Sequence, residues 1–231
     1  MTRAALAAGA GAAAAWSAPA LAAVCRPVAG ALGIQSRVPG SLDGVALTFD
    51  DGPHPQGTPA VLDCLARAGA TATFFLVGEQ VERYGSLAAE VAAAGHSIGV
   101  HAHRHRNLLR LTPRQLAADL DRAAEVIAGA TGSPLRLHRP PYGVFSPLGL
   151  AVVRRRGWRP VLWSRWGRDW SARATPASIA GRLTRWLASG DILLLHDADH
   201  YSAQGSWRRT ASALPHVLEA IERRGLRPVV P

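Results

Sequence analysis

The run Val45-Ala46-Leu47-Thr48-Phe49 is almost wholly apolar, and it stops at two adjacent carboxylates, Asp50 and Asp51, followed by Gly52-Pro53. A short apolar run bounded by turn residues predicts a buried strand. From there the pattern alternates. Val61, Leu62 and Leu65 fall at helical spacing within Thr58–Gly69. Ala70–Val77 is rich in β-branched and aromatic residues and predicts a strand. A helix follows over Gln80–Ala94, closed by Gly95, then a short strand over Ser97–His101. Thr112 opens a helix to about Ala128, with Pro113 in its first turn. Strands at Leu135–His138, Pro160–Ser164 and Asp191–Leu195 alternate with helices at Pro147–Arg156, Thr175–Leu187 and Ser206–Arg224, and Arg227–Val230 forms a last strand. About seven strands alternating with about six helices predict a single parallel α/β domain, either a barrel or a doubly wound sheet. Both architectures build their sites from loops at the C-terminal ends of the strands.

Polar residues gather at those ends: Asp50 and Asp51 after the first strand, His101 and His105 after the third, Arg139 after the fourth, Asp169 after the fifth and His196 after the sixth. Neighbouring carboxylates repel, and burying them is costly. A fold tolerates the pair when a cation lies between them or when they do separate jobs, one ligating a metal while the other takes a proton; the alternative is an ordinary Asp-Asp-Gly-Pro surface turn. In His101-Ala102-His103-Arg104-His105, two histidines with one aspartate make a three-ligand site with an open position, suited to zinc or another divalent transition metal. The alternative is a solvated basic loop. Arg139-Pro140-Pro141-Tyr142-Gly143 forms a rigid bend whose arginine can fork onto a carboxylate, or else an ordinary loop. His196, at the mouth of the apolar strand Leu193-Leu194-Leu195, has the placement of a general acid or base, or a structural role. The tryptophans from Trp163 to Trp170 either line a pocket or fill the core.

Composition adds the setting. The chain has 231 residues and a net charge of +10, with every basic residue arginine. Such charge favours anionic polymers or surfaces, and no nucleic-acid-binding motif is present. Cys25 and Cys64 lack metal-ligand spacing and read as free thiols. Arg3 precedes an alanine-rich run to Val24, with Ala20-Leu21-Ala22 as a small-x-small cleavage site. Residues 1–24 therefore read as a secretory signal peptide or an N-terminal membrane anchor. Residues 25–42 read as a linker and 43–231 as the folded domain, outside the cytoplasm.

Five motifs in order, Thr48-Phe49-Asp50-Asp51-Gly52-Pro53, His101-x-x-x-His105, Arg139-Pro140-Pro141-Tyr142-Gly143, Asp169-Trp170 and Leu193-Leu194-Leu195-His196, resemble those of the polysaccharide deacetylases with the NodB homology domain, carbohydrate esterase family 4. The resemblance implies a distorted (β/α) barrel of about seven parallel strands. It also implies metal-dependent removal of N-acetyl groups from the amino sugars of a peptidoglycan-like or chitin-like glycan. Asp51, His101 and His105 would hold the metal, zinc or else cobalt or nickel. Asp50 would be the base and His196 the acid, Arg139 would hold Asp50, and Asp169 would orient His196. Tyr142 would give a backbone N–H to the oxyanion, and Trp170 and Leu194 would line the acyl pocket. Val100 and Trp166 depart from the family pattern, which often has Asn and Asp there, and bear on specificity. Rival expectations are a deacylase of a lipid-linked or other small amide and a glycan-binding module without catalysis. The N-terminal segment would provide any membrane attachment.

Overall fold

The computed structural model describes residues 19–231. Most of the expected leader, 1–24, lies outside the described residues, and its role as signal or anchor with it. No helix among the described residues is long and apolar enough to cross a membrane.

The sheet is built outward from β1 (Gly44–Asp50), every residue of which is buried. β1 pairs in parallel with β2 (Thr73–Leu76) on one side and β7 (Ile192–His196) on the other. The path continues from β2 to β3 (Ser97–Val100), β4 (Leu137–His138) and β5 (Arg159–Pro160), and from β7 to β6 (Arg165–Trp166). All these pairings are parallel, and β8 (Arg227–Pro228) adds to the start of β1. A parallel sheet covered on both faces reads as continuous hydrophobic runs rather than alternation. That is why Val45–Phe49 and Ile192–Leu195 are so plain in the sequence; they meet along five paired positions, Ala46–Asp50 against Ile192–His196. The result is one curled, barrel-like α/β domain of seven parallel strands in its main path.

Three elements differ from the sequence expectation. The single strand expected at Pro160–Ser164 does not form as such: only Pro160 is in a strand, β5, and β6 begins just past the range, at Arg165, at the opposite end of the path. β5 pairs with β4, and shortly afterwards the same segment pairs with β7 as β6. One bent segment thus spans the gap in the barrel, which no local pattern specifies. The stretch 25–42, expected as a linker, carries a short helix α1 (Arg26–Ala31), and Ala29 and Ile34 are buried in the core. Gln35 bridges Val161 and Arg37 bridges Asp191, so this stretch packs against that same gap. The helix expected over Gln80–Ala94 is two, α3 (Gly78–Arg83) and α4 (Gly85–Ala93), broken at Tyr84 (φ −133°, ψ 44°). Gly85 follows the break, and glycine is a poor helix residue.

The other helices match expectation closely: α2 (Gly57–Arg67), α5 (Pro113–Thr131), α6 (Pro147–Arg155), α7 (Pro176–Thr184) and α8 (Ser206–Arg223). α5 starts with a capping box, in which the Thr112 and Gln115 side chains each bond the other's backbone N–H. It ends at Gly132 with φ 63°, the left-handed conformation that glycine adopts without a Cβ penalty. α7 repeats the box with Thr175 and Ser178.

Candidate active site at the C-terminal ends of the strands

The register of the sheet sets the site. Asp50 ends β1 directly beside His196, which ends β7, so a carboxylate and an imidazole meet at adjacent strand ends about 4.8 Å apart. The chain turns sharply after Asp50. Asp51 has φ 80°, and the other non-glycine residues with positive φ among those described are Ala102, Tyr142 and Arg168. Each lies in a loop at the same end of the sheet, and backbone strain of this kind concentrates where a site over-determines the conformation.

Arg139 is the keystone of one side. It is fully buried. One guanidinium nitrogen donates to Asp50 Oδ1 at 2.7 Å and to Thr48 Oγ1 at 2.8 Å, and another donates to the Leu162 carbonyl at 3.0 Å. The plane lies 4.1 Å over the Phe75 ring. This pairing fixes the orientation of the Asp50 carboxylate.

Asp51 turns to the histidines. Its Oδ1 is 3.4 Å from His101 Nε2 and 3.3 Å from His105 Nε2, and this buried oxygen has no hydrogen-bond partner. The His101 Nδ1–H donates to the Arg139 carbonyl at 2.8 Å, which turns Nε2 towards Asp51. Burial pushes His105 down to about 4, so its ring is neutral at physiological pH. Burial alone would raise the Asp51 carboxyl, but His101 beside it and the charge of His196 hold it well below the usual carboxylate range. Two imidazoles and a carboxylate, with ligand atoms within 4.8 Å of one another, are the set a divalent transition metal takes. The spacing fits as well. Ligands about 2.0–2.1 Å from a tetrahedral centre lie about 3.3–3.4 Å apart. An unpartnered buried oxygen at the convergence point is what such a cation would satisfy.

The other side is built on Asp169, also fully buried. Its Oδ1 lies 2.9 Å from His196 Nδ1; its Oδ2 accepts from the His196 peptide N–H at 2.7 Å and from Thr210 Oγ1 at 2.8 Å. This fixes the ring and aims Nε2 into the cavity. Burial alone would lower the His196 pKa; the Asp169 carboxylate more than offsets this, with smaller help from Asp51 and Asp50, and pushes it up to about 10.

Between the two sides lies a cavity of about 310 Å³. Of the residues singled out in the sequence, Asp50, Asp51, His101, His105, Tyr142, Trp170, Leu194 and His196 line it, while Arg139 and Asp169 stand behind it as supports. Trp163, Trp166 and Trp170 form a chain of ring contacts along one wall, ending edge-on against His196. Trp166, a departure from the family pattern, is therefore a wall of the cavity, whereas Val100 is buried in the sheet. His103 turns away to within 3.8 Å of Glu82. Sequence reasoning missed Tyr201 and Ser202, which also line the cavity. They lie in the loop after β7 and carry no motif.

The polysaccharide deacetylase family profile matches residues 38–161. A chitooligosaccharide deacetylase of Azorhizobium caulinodans is 34% identical over 201 residues, covering 84% of this chain and 95% of that protein. A peptidoglycan-N-acetylglucosamine deacetylase of Bacillus cereus is 35% identical over 192 residues, covering 82% of this chain and 87% of that protein. Among solved structures, a family 4 carbohydrate esterase from Streptomyces lividans in complex with acetate superposes with a TM-score of 0.74 at 29% identity, covering 83% of this chain and 94% of that one. With the profile spanning more than half of the sequence and relatives aligned along four fifths of it, this chain belongs to the polysaccharide deacetylases, carbohydrate esterase family 4.

Proposed function

We propose that this protein is a metal-dependent N-deacetylase that hydrolyses the acetamido group of an N-acetylated cell-wall glycan, outside the cytoplasm. The observation that carries the reading is the convergence of Asp51, His101 and His105 at an unpartnered buried oxygen, flanked on the same cavity by Asp50 and His196. Asp51, His101 and His105 would hold a divalent cation, which would supply Lewis-acid polarisation of the acyl carbonyl.

The chain's own residues do the rest. Asp50, paired with and oriented by Arg139, takes a proton from the attacking water. The Tyr142 peptide N–H donates to the oxygen that becomes negative, an effect worth a few kcal/mol in sites of this kind, about 3–4 for one donor. His196, charged and aimed by Asp169, gives its Nε2 proton to the departing nitrogen, so the C–N bond breaks to acetate and a free amine. Trp170 and Leu194 enclose the acetyl methyl. Separate buried partners, Arg139 for Asp50 and Asp169 for His196, support this division of the proton-transfer roles.

Peptidoglycan is the favoured substrate, because a chain of net charge +10 suits an anionic wall; relatives include deacetylases of both peptidoglycan and chitooligosaccharide. Export by the N-terminal segment, cleaved or retained as an anchor, is supported by Arg3 and the alanine-rich run after it. Acetate release from peptidoglycan and from N-acetylglucosamine oligomers tests the reading. Asp50→Asn is expected to abolish release while sparing glycan binding. Turnover by this variant would remove Asp50 as the base, and binding without turnover by the unaltered protein would favour a glycan-binding module.

A further inference from the structure

His101 and His105 reach the same point but are held differently. His101 has its second nitrogen bonded to the Arg139 carbonyl. His105 Nδ1 is buried and has no hydrogen-bond partner. A ligating imidazole ordinarily donates that second N–H to an acceptor, which fixes its orientation. His105 also lies in an irregular loop rather than at a strand end.

What holds its ring is aromatic contact. Tyr201 stacks on it nearly parallel, with centroids 4.2 Å apart and planes 11° from coplanar, and Tyr142 meets it edge-on at 4.6 Å. The two tyrosines are not equivalent. Tyr142 is 59% exposed. Tyr201 is tied down: its hydroxyl donates to Glu79 Oε1 at 2.6 Å and accepts from Gln80 Nε2 at 2.8 Å. Glu79 and Gln80 open α3, and the same turn is bonded to the histidine loop, since the N–H groups of Gly78 and Glu79 donate to the carbonyls of Ala102 and His103. Tyr201, the start of α3 and the loop carrying His105 therefore form one closed frame.

We propose that Tyr201 is a positioning residue for His105. Its ring takes the place of the hydrogen bond that His105 lacks and keeps Nε2 turned towards Asp51 and His101. This rests on the reading that those three residues hold a divalent metal. The role falls to a residue outside the five motifs, in a loop that only the fold brings to the site.

The test is metal affinity, measured on the full chain stripped with chelator and titrated with zinc against a fluorescent competitor, together with the visible absorption of the cobalt-loaded protein. Tyr201→Leu and Tyr201→Met remove the ring, and the pair is made so that one folded variant suffices; Tyr201→Phe keeps the ring and drops the hydroxyl. The expected result is zinc affinity at least about tenfold weaker, with an altered cobalt band, in Leu or Met, and both restored towards the unaltered protein in Phe. Unchanged affinity and an unchanged cobalt band in a folded Leu or Met variant would overturn the proposal. So would a Phe variant as weak as Leu, which would put the effect in the hydroxyl. Failure of the unaltered protein to bind zinc would instead overturn the metal site, and the positioning role with it.

Discussion

Replacing Asp169 by Asn removes one charge and almost no volume, and it addresses the acid side of the proposed reaction directly. In the folded protein the His196 imidazole is pushed from 6.5 up to about 10. That difference of about 3.5 pH units corresponds to about 5 kcal/mol favouring the protonated ring, at about 1.4 kcal/mol per unit. Asp169 supplies most of the upward part through its charge and the 2.9 Å contact to Nδ1. Asp51 and Asp50 supply less, and a cation bound at Asp51 cancels part of that share. In Asp169→Asn the amide still offers an oxygen to the His196 Nδ1–H but no charge. Its NH2 group also faces the His196 peptide N–H and the Thr210 hydroxyl, both of which donate to Oδ2 in the unaltered protein. The alkaline limb of kcat/KM, which reports the free enzyme's acid, is expected to fall by roughly 2–3 pH units. The assay is acetate release from N-acetylglucosamine oligomers across pH 5 to 10.5, with unfolding followed at each pH. The same shift sets the sign of the stability change. A base whose folded pKa is raised stabilises the fold fully below 6.5 and loses that contribution as pH climbs towards about 10. The variant's stability should therefore vary less over that window. An alkaline limb that stays in place in a folded Asp169→Asn variant would refute the assignment of His196 as the acid.

Two further outcomes follow from buried groups. Arg139→Met leaves Asp50, Thr48 and the Leu162 carbonyl without their shared donor. Denaturant unfolding should show a loss of about 3–5 kcal/mol, typical when one partner of a buried pair is removed, along with loss of acetate release. His138 is fully buried, and burial pushes its pKa down to about 3. Its neutral form fits the core and its charged form does not, so the unaltered protein should lose stability as pH falls below 6.5 towards 3. His138→Leu should flatten that acid-side loss in urea titrations, and an identical acid dependence would discount burial of the ring as its cause.

Much of the site was legible because its residues stand where buried runs end. Val45–Phe49 and Ile192–Leu195 are almost wholly apolar, so their strand assignment needed no tertiary information, and Asp50 and His196 followed as neighbours at strand ends. The helix starts at Thr112-Pro113 and Thr175-Pro176 were legible because capping chemistry is local. Three features were not. The bend between β5 and β6, where a single strand was expected at Pro160–Ser164, depends on which strands lie at the edges of the path. The packing of Ala29 and Ile34 depends on the gap that this bend spans. Tyr201 reaches His105 only because the loop after β7 folds back over the start of α3, and a tyrosine in a polar loop gives no periodic signal.

The most direct test is metal reconstitution of the hydrolysis itself. The full chain, stripped with chelator, is given zinc, cobalt or nickel singly, and acetate released from peptidoglycan and from N-acetylglucosamine oligomers is measured against metal bound. The predicted result is negligible release from the stripped protein and release that rises with bound metal to saturate at one ion per chain. Full release by the metal-free protein, or one tightly bound ion with no acetate from either glycan, would contradict metal-dependent deacetylation at this site.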